Sequence, residues 1–320
     1  MKFLVILAAV VLAASAFSDR EQWQEFKLKH GKSYRSLVEE TRRFIIFKEN
    51  LRTIEEHNAK YERGETSYTM GVNKFSDMTK AEFKAKLSTR KTERPKADLV
   101  MTAAMVNATV ADSIDWRDQG AVTEVKDQMN CGSCYAFAAT GAMESAYYLK
   151  NKKTVSLSEQ EIVDCSSDNG GCDGGWAQAA FVYASENGIS TEESYPYLGE
   201  VQTCQTRTPF ITVSSFVQID ADEDSLKAVV GTVGPVAVAI YVDDMMSYAG
   251  GIFDEASCIN DYYQLDHEVL LVGYGTEDGK DYWLFKNSWG TEWGDSGYAK
   301  IARNANNMCG IAADSSYPVL

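Results

Sequence analysis

Seven cysteines, all placed after residue 130, constrain this 320-residue chain more than any other feature. They are Cys131, Cys134, Cys165, Cys172, Cys204, Cys258 and Cys309. Their meaning depends on the compartment. The chain opens MKFLVILAAVVLAASAF, in which Lys2 precedes an apolar run from Phe3 to Ala14 and Ala14-Ser15-Ala16 supplies small residues for cleavage. This pattern predicts a secretory signal peptide over residues 1–16. The run is too short for a membrane span, which needs about 20 residues. No later segment is apolar enough, so a soluble mature protein with no membrane partner is expected. In an oxidising compartment most thiols pair. Seven is odd, so at least one thiol is left for another chain or for chemistry.

Charge divides the chain as sharply as cysteine does. Residues 17–109 carry 19 Lys+Arg and 14 Asp+Glu with no cysteine, whereas residues 110–320 carry 11 and 32. The whole chain has a net charge of −15, which makes nucleic acid and anionic membranes poor partners. Near KTERPKADLVMTAAMVNATVADS the periodicity is lost, as expected of a linker with an exposed cleavage region. In the basic segment, Glu39, Arg43, Phe47, Asn50, Ile54 and Asn58 recur every three or four residues and so share one helix face. A surface helix packed on its own domain would show the same spacing. In the acidic segment, Ala138, Ala142, Ala146 and Leu149 predict a buried helix from Cys134 to Leu149, and EVLLVGYG, DYWLFKNSWG and GYAKIA read as strands. Helix early and strand late predict two subdomains with a cleft between them.

The acidic segment holds one histidine, His267; His30 and His57 lie in the basic segment. A lone histidine is usually structural, but beside an unpaired thiol it becomes a candidate base. Cys134 is the candidate thiol, because it opens a helix whose unpaired N–H groups favour a thiolate. Cys131-Gly-Ser-Cys134 is also compatible with a redox pair or half of a zinc site, although there is no second CxxC.

QMNCGSCYAF, LDHEVLLVGYG and NSWGTEWGDSGY resemble the three active-site blocks of papain-like peptidases, in the usual order. The Glu39-to-Asn58 pattern and Gly71-Val72-Asn73-Lys74-Phe75-Ser76-Asp77 resemble the propeptide of the cathepsin L type, with a general composition like insect gut forms. The resemblance implies an α+β papain-like fold, with a helical left part, a β-barrel-like right part and an N-terminal helical propeptide domain. It divides the chain into a signal peptide at 1–16, an inhibitory propeptide at 17–109 and a peptidase domain at 110–320. It implies Cys134 as nucleophile, His267 as base, Asn287 as orienting residue and Gln128 as oxyanion donor, with Trp289 shielding the His–Asn hydrogen bond. Disulfides are implied at Cys131–Cys172, Cys165–Cys204 and Cys258–Cys309. The S2 pocket falls on Trp176, Ala177, Ala239, Leu265, Glu268 and Asp314, with Gly175 binding substrate backbone.

No cofactor or metal is implied. The implied partners are polypeptide substrates and the chain's own propeptide, for a monomer in the secretory pathway, bound for the gut lumen or the lysosome. Asn107-Ala108-Thr109 is a glycosylation candidate near the junction. Four residues depart from the family pattern. Tyr135 replaces Trp after the nucleophile, and Met129 replaces Gly beside the oxyanion donor. Glu268 follows His267 where a small residue is usual, and Asp314 floors S2. Two carboxylates there predict a pocket for a basic P2 residue. Rival readings are a papain-fold binder without turnover and a disulfide oxidoreductase using Cys131 and Cys134, which would leave both thiols free after reduction.

Overall fold

The structure, a computed structural model, describes residues 19–87 and 94–320. The signal-peptide reading falls on residues 1–16, outside them. A helix over 19–29, α1, comes first and packs Trp23 and Phe26 against Phe47 and Leu51 of α2 (Leu37–Glu62). Ser36 caps α2, its hydroxyl accepting the Glu39 N–H. The regularly spaced residues of α2 face the segment that follows. Arg43 donates to the Asp77 carbonyl, Asn50 to the carbonyls of Ser76 and Met78, and Asn58 exchanges two bonds with Met70. Glu39 instead accepts the Arg35 N–H and holds the helix start.

Two short elements follow in this N-terminal unit, which continues to Met101: β1 (Tyr68–Met70) and α3 (Lys80–Lys84), the latter opened by a Thr79–Glu82 capping box. The chain then runs extended through β2 (Val100–Met101) and β3 (Ile114–Asp115). Helices α4 (Cys134–Asn151), α5 (Glu159–Cys165) and α6 (Ala177–Asn187) follow, then β4 (Ser215–Ile219) and α7 (Glu223–Thr232). The rest is mostly strand: β5 (Val236–Ile240), β6 (Tyr248–Phe253), β7 (His267–Glu277), β8 (Lys280–Lys286), β9 (Tyr298–Ala302) and β10 (Ser315–Val319).

The strands form one sheet in the order β1-β6-β9-β8-β7-β5-β10-β4-β2, with β3 on β7. Two apolar cores flank it. One gathers around α4 and α6, where alanines let helices approach closely. The other is built on the strands and takes in Tyr68, Phe75, Phe83 and Leu87 from the N-terminal unit. Both outer strands of the sheet also belong to that unit. β1 pairs antiparallel with β6, Tyr68 opposite Gly251, and β2 pairs parallel with β4, Val100 opposite Gln218. The N-terminal unit therefore covers both edges that the rest of the sheet would otherwise present.

Candidate active site

Cys134 is the first residue of α4 and His267 the first of β7, and α4 packs directly on β7. Cys134 is buried and unpaired. The other six cysteines form Cys131–Cys172, Cys165–Cys204 and Cys258–Cys309. With Cys131 bonded to Cys172, a Cys131–Cys134 redox pair and a zinc half-site are both excluded in this state. The backbone N–H groups of Glu268 and Tyr135 reach the Cys134 sulfur, which places it against the strand start that carries His267.

His267 Nε2 lies 2.8 Å from Asn287 Oδ1. A carbonyl oxygen only accepts, so Nε2 carries the proton and Nδ1 is left as an acceptor. Nδ1 has no hydrogen-bond partner among the described residues. The Asn287 oxygen also accepts the Ser288 N–H at 2.8 Å, which fixes the amide. The buried Trp289 ring lies 4.6 Å from the imidazole. Gln128 is anchored at both ends of its amide: Ser288 Oγ donates to Oε1 at 2.7 Å, and Nε2 donates to the Cys131 carbonyl at 2.9 Å. One amide N–H is left for another acceptor.

Burial dominates the electrostatics. It pushes the Cys134 thiol up to about 12, with Glu268 the next contributor, and pulls His267 down to about 4 against the raising effect of Asn287. Thiol and imidazole are thus both neutral at pH 7. The N-terminal unit packs on the Trp289 side of the site, where Phe75 and Phe83 each meet the Trp289 ring edge-on at 5.4 Å.

A second cluster lies beyond Glu268. Asp314 is buried and ion-paired with Arg94, which reaches in from the extended stretch before β2. Gln178 donates to the same Asp314 oxygen at 2.9 Å, and the other oxygen has no hydrogen-bond partner among the described residues. The Arg94 guanidinium also lies 5.5 Å from the Tyr262 ring, which stacks in parallel with Trp176. Glu268 accepts the Ala177 N–H, at 3.1 Å from Oε2. Burial raises both acids, Asp314 to about 6, where Arg94 pulls it down, and Glu268 well above the usual carboxylate range, with Asp314 adding to it. Ala239 donates its N–H to the Asp314 carbonyl. Leu265 is buried beside Gly310. Gly175 has no room for a side chain, because a Cβ there would come within 2.1 Å of Asn169 Oδ1.

The departures from the family pattern have local explanations. Tyr135 is fully buried and its hydroxyl donates to the Gly171 carbonyl at 2.9 Å. Met129 adopts a left-handed φ of 55°, the region that favours glycine, and its side chain is half-exposed against Gly199. Asn107 is exposed, as are residues 107–109 and 111–113 around the domain junction. Sequence reasoning missed Arg94, Gln178 and Tyr262, and also Ser133 and Tyr197. The Tyr197 hydroxyl lies 2.6 Å from Ser133 Oγ and donates to the Gln128 carbonyl, which ties the Gln128 loop to the α4 N-cap. No local pattern signals these residues, because each contact closes over a long loop.

Residues 110–319 match the family described as papain family cysteine protease, and residues 23–83 match the cathepsin propeptide inhibitor domain. A cathepsin L-like proteinase of Phaedon cochleariae is 42% identical, with 100% of each chain covered. Digestive cysteine proteinase 1 of Homarus americanus is 45% identical over 98% of this chain and 99% of that one. Among solved structures, digestive procathepsin L 3 of the Tenebrio molitor larval midgut superposes with a TM-score of 0.87 at 46% identity, covering 94% of this chain and 99% of the other. The chain belongs to the papain family of cysteine proteases, as a cathepsin L-like zymogen with its own inhibitory propeptide domain.

Proposed function

We propose that this zymogen yields an endopeptidase in which Cys134 attacks the peptide carbonyl and His267 takes its proton. The observation that carries this reading is the junction of α4 and β7. There the one unpaired thiol meets the start of the strand bearing His267, whose Nε2 is already committed to Asn287. Nδ1 is the only imidazole atom left to accept the thiol proton. Once water enters, a thiolate–imidazolium pair replaces the neutral pair of the precursor, helped by the N–H groups that open α4. The tetrahedral oxyanion then takes the spare Gln128 N–H and a backbone N–H at Cys134. His267 returns the proton to the leaving amine, and water releases the acyl group by the same route.

The propeptide is assigned to residues 17–109 and the catalytic part to 110–320, with cleavage in the exposed stretch near Val110. The cluster of Trp176, Ala177, Ala239, Leu265, Glu268 and Asp314 is assigned as S2, with Gly175 beside it. Arg94 already fills this cluster in the precursor, which supports its selecting a basic P2 side chain. Asp314 is the acid that meets the cation, and Glu268 shapes the wall. A monomer acting in the gut lumen is favoured over a lysosomal enzyme, because the Homarus and Tenebrio relatives are described as digestive. Asn107 is exposed and free to carry a glycan. Peptides differing only in Arg or Leu at P2 test the pocket on acid-processed enzyme. Higher kcat/KM for Arg at pH 7, lost in Asp314→Ala, is expected. A Leu preference that Asp314→Ala leaves unchanged would reject it.

A further inference from the structure

The propeptide places a second cation beside the catalytic residues, far from the Arg94 pocket. Lys74 Nζ sits 2.6 and 2.7 Å from the two carboxylate oxygens of Asp127. Asp127 immediately precedes Gln128 and bridges by backbone to Trp289. Its Oδ1 also accepts the Met129 N–H at 2.8 Å, which holds the left-handed turn at Met129. Its Oδ2 meets only Lys74 among the described hydrogen bonds and faces Gly290 across the cleft wall. A second propeptide lysine covers the same loop, as Lys86 Nζ donates to Asn130 Oδ1 at 2.6 Å.

These cations leave with the propeptide. Lys126, the residue before Asp127, cannot replace them, because its ammonium is turned inward to Glu144, Glu159 and the Leu157 carbonyl. Asp127 is 40% exposed even under its cover, so removal of Lys74 leaves an unpaired carboxylate at the cleft rim. The propeptide touches this loop through Lys74 and Lys86 before it reaches Asp314 through Arg94, and the two clusters share no residue.

We propose that Asp127 forms a second acidic subsite, which selects a lysine or arginine following the scissile bond. The side of the bond rests on the assignment of the Asp314 pocket to S2, with Asp127 assigned to the opposite, leaving-group side of Cys134. The substrate class is a polypeptide with cations on both sides of the cut, the pattern that the propeptide itself presents. Asp127 acts on binding and encounter, through a half-exposed charge that salt screens.

The test uses acid-processed enzyme and peptides that all carry Leu at P2. Lys, Leu or Glu is placed in turn at each of the first three positions after the cut and, as a control, at P3. At one position after the cut, kcat/KM should favour Lys over Glu by about fivefold at low salt, as expected of a partly exposed charge pair. The ratio should shrink with added salt, collapse in Asp127→Asn and invert in Asp127→Lys. Asn keeps an acceptor for the Met129 N–H, so the turn survives the first substitution. A Lys:Glu ratio that Asp127→Asn leaves unchanged at all three positions would overturn the proposal. So would a wild-type ratio insensitive to salt, or an Asp127-dependent preference found only at P3. Because P2 is fixed, these outcomes are independent of the Arg-against-Leu comparison that judges the Asp314 pocket.

Discussion

In the precursor, burial is the first cause that favours the neutral form at both Cys134 and His267. Activity therefore requires uncovering more than new contacts. Cys134→Ala should abolish turnover by the acid-treated protein while leaving a folded precursor, read by peptide hydrolysis and circular dichroism. Asn287→Ala should lower kcat by less than His267→Ala does, because it orients the imidazole without reacting. The Arg94 contact gives the pH sign at S2. Arg94 pulls Asp314 down from where burial alone would hold it, so a cation binds the ionised acid better. Its contribution is present above the Asp314 value of about 6 and fades as pH falls through it. The Arg:Leu ratio at P2 should accordingly fall between pH 7 and pH 4, and Asp314→Ala should cost Arg substrates about 1–3 kcal/mol at pH 7. Cys134, His267, Asn287 and Gln128 could be named as candidates from the sequence because the motifs that carry them are local. Arg94 was not, because its partner lies 220 residues away and nothing in its neighbours is periodic.

Among the elements, α2 was the most legible, since three- and four-residue spacing is enough to define a face. The use of that face was not legible, because it depends on how the 68–82 segment folds back over it. Asn50 shows what the fold adds: its amide donates to two carbonyls, at Ser76 and Met78. Asn50→Ala would leave both partly buried acceptors without this donor and should weaken inhibition by the isolated propeptide by about 1–3 kcal/mol, read as its inhibition constant. Strands β1 and β2 were not legible either: at three and two residues each they are too short to show a period, and their sheet pairing is to strands far along the chain, β6 and β4. The α2–α3 clasp and the Arg94 anchor should respond differently to acid. Arg43 is the main cause that holds Glu82 down to about 2, so its contribution is present above the ordinary carboxylate value and lost only as pH falls below it toward 2. Asp314 is neutralised earlier, near 6. Hydrogen exchange at pH 5 should therefore show β2 losing protection while α2 keeps its own; simultaneous loss of both would contradict this order.

Across the whole molecule, a basic segment lies on an acidic one. Among the described residues five ion pairs cross between them, Lys29–Glu292, Lys74–Asp127, Lys80–Asp244, Lys84–Asp243 and Arg94–Asp314, every cation coming from the basic N-terminal segment. The charge asymmetry was legible in composition, but the pairing that makes it an inhibitory contact was not. Processing should accelerate from pH 7 to pH 4 at fixed salt, as the carboxylates of the catalytic part take up protons. Gels showing equal processing across that range would reject the electrostatic part of the account. The central claim is that one buried thiol is kept neutral under the propeptide and becomes the nucleophile when uncovered. Reaction with an epoxide directed at active-site thiols, before and after acid processing, followed by mass mapping, tests it most directly. The account predicts a single adduct, on Cys134, formed only after processing and in step with the appearance of activity. Equal labelling of the intact precursor at pH 7, or activity that persists without an adduct on Cys134, would contradict it.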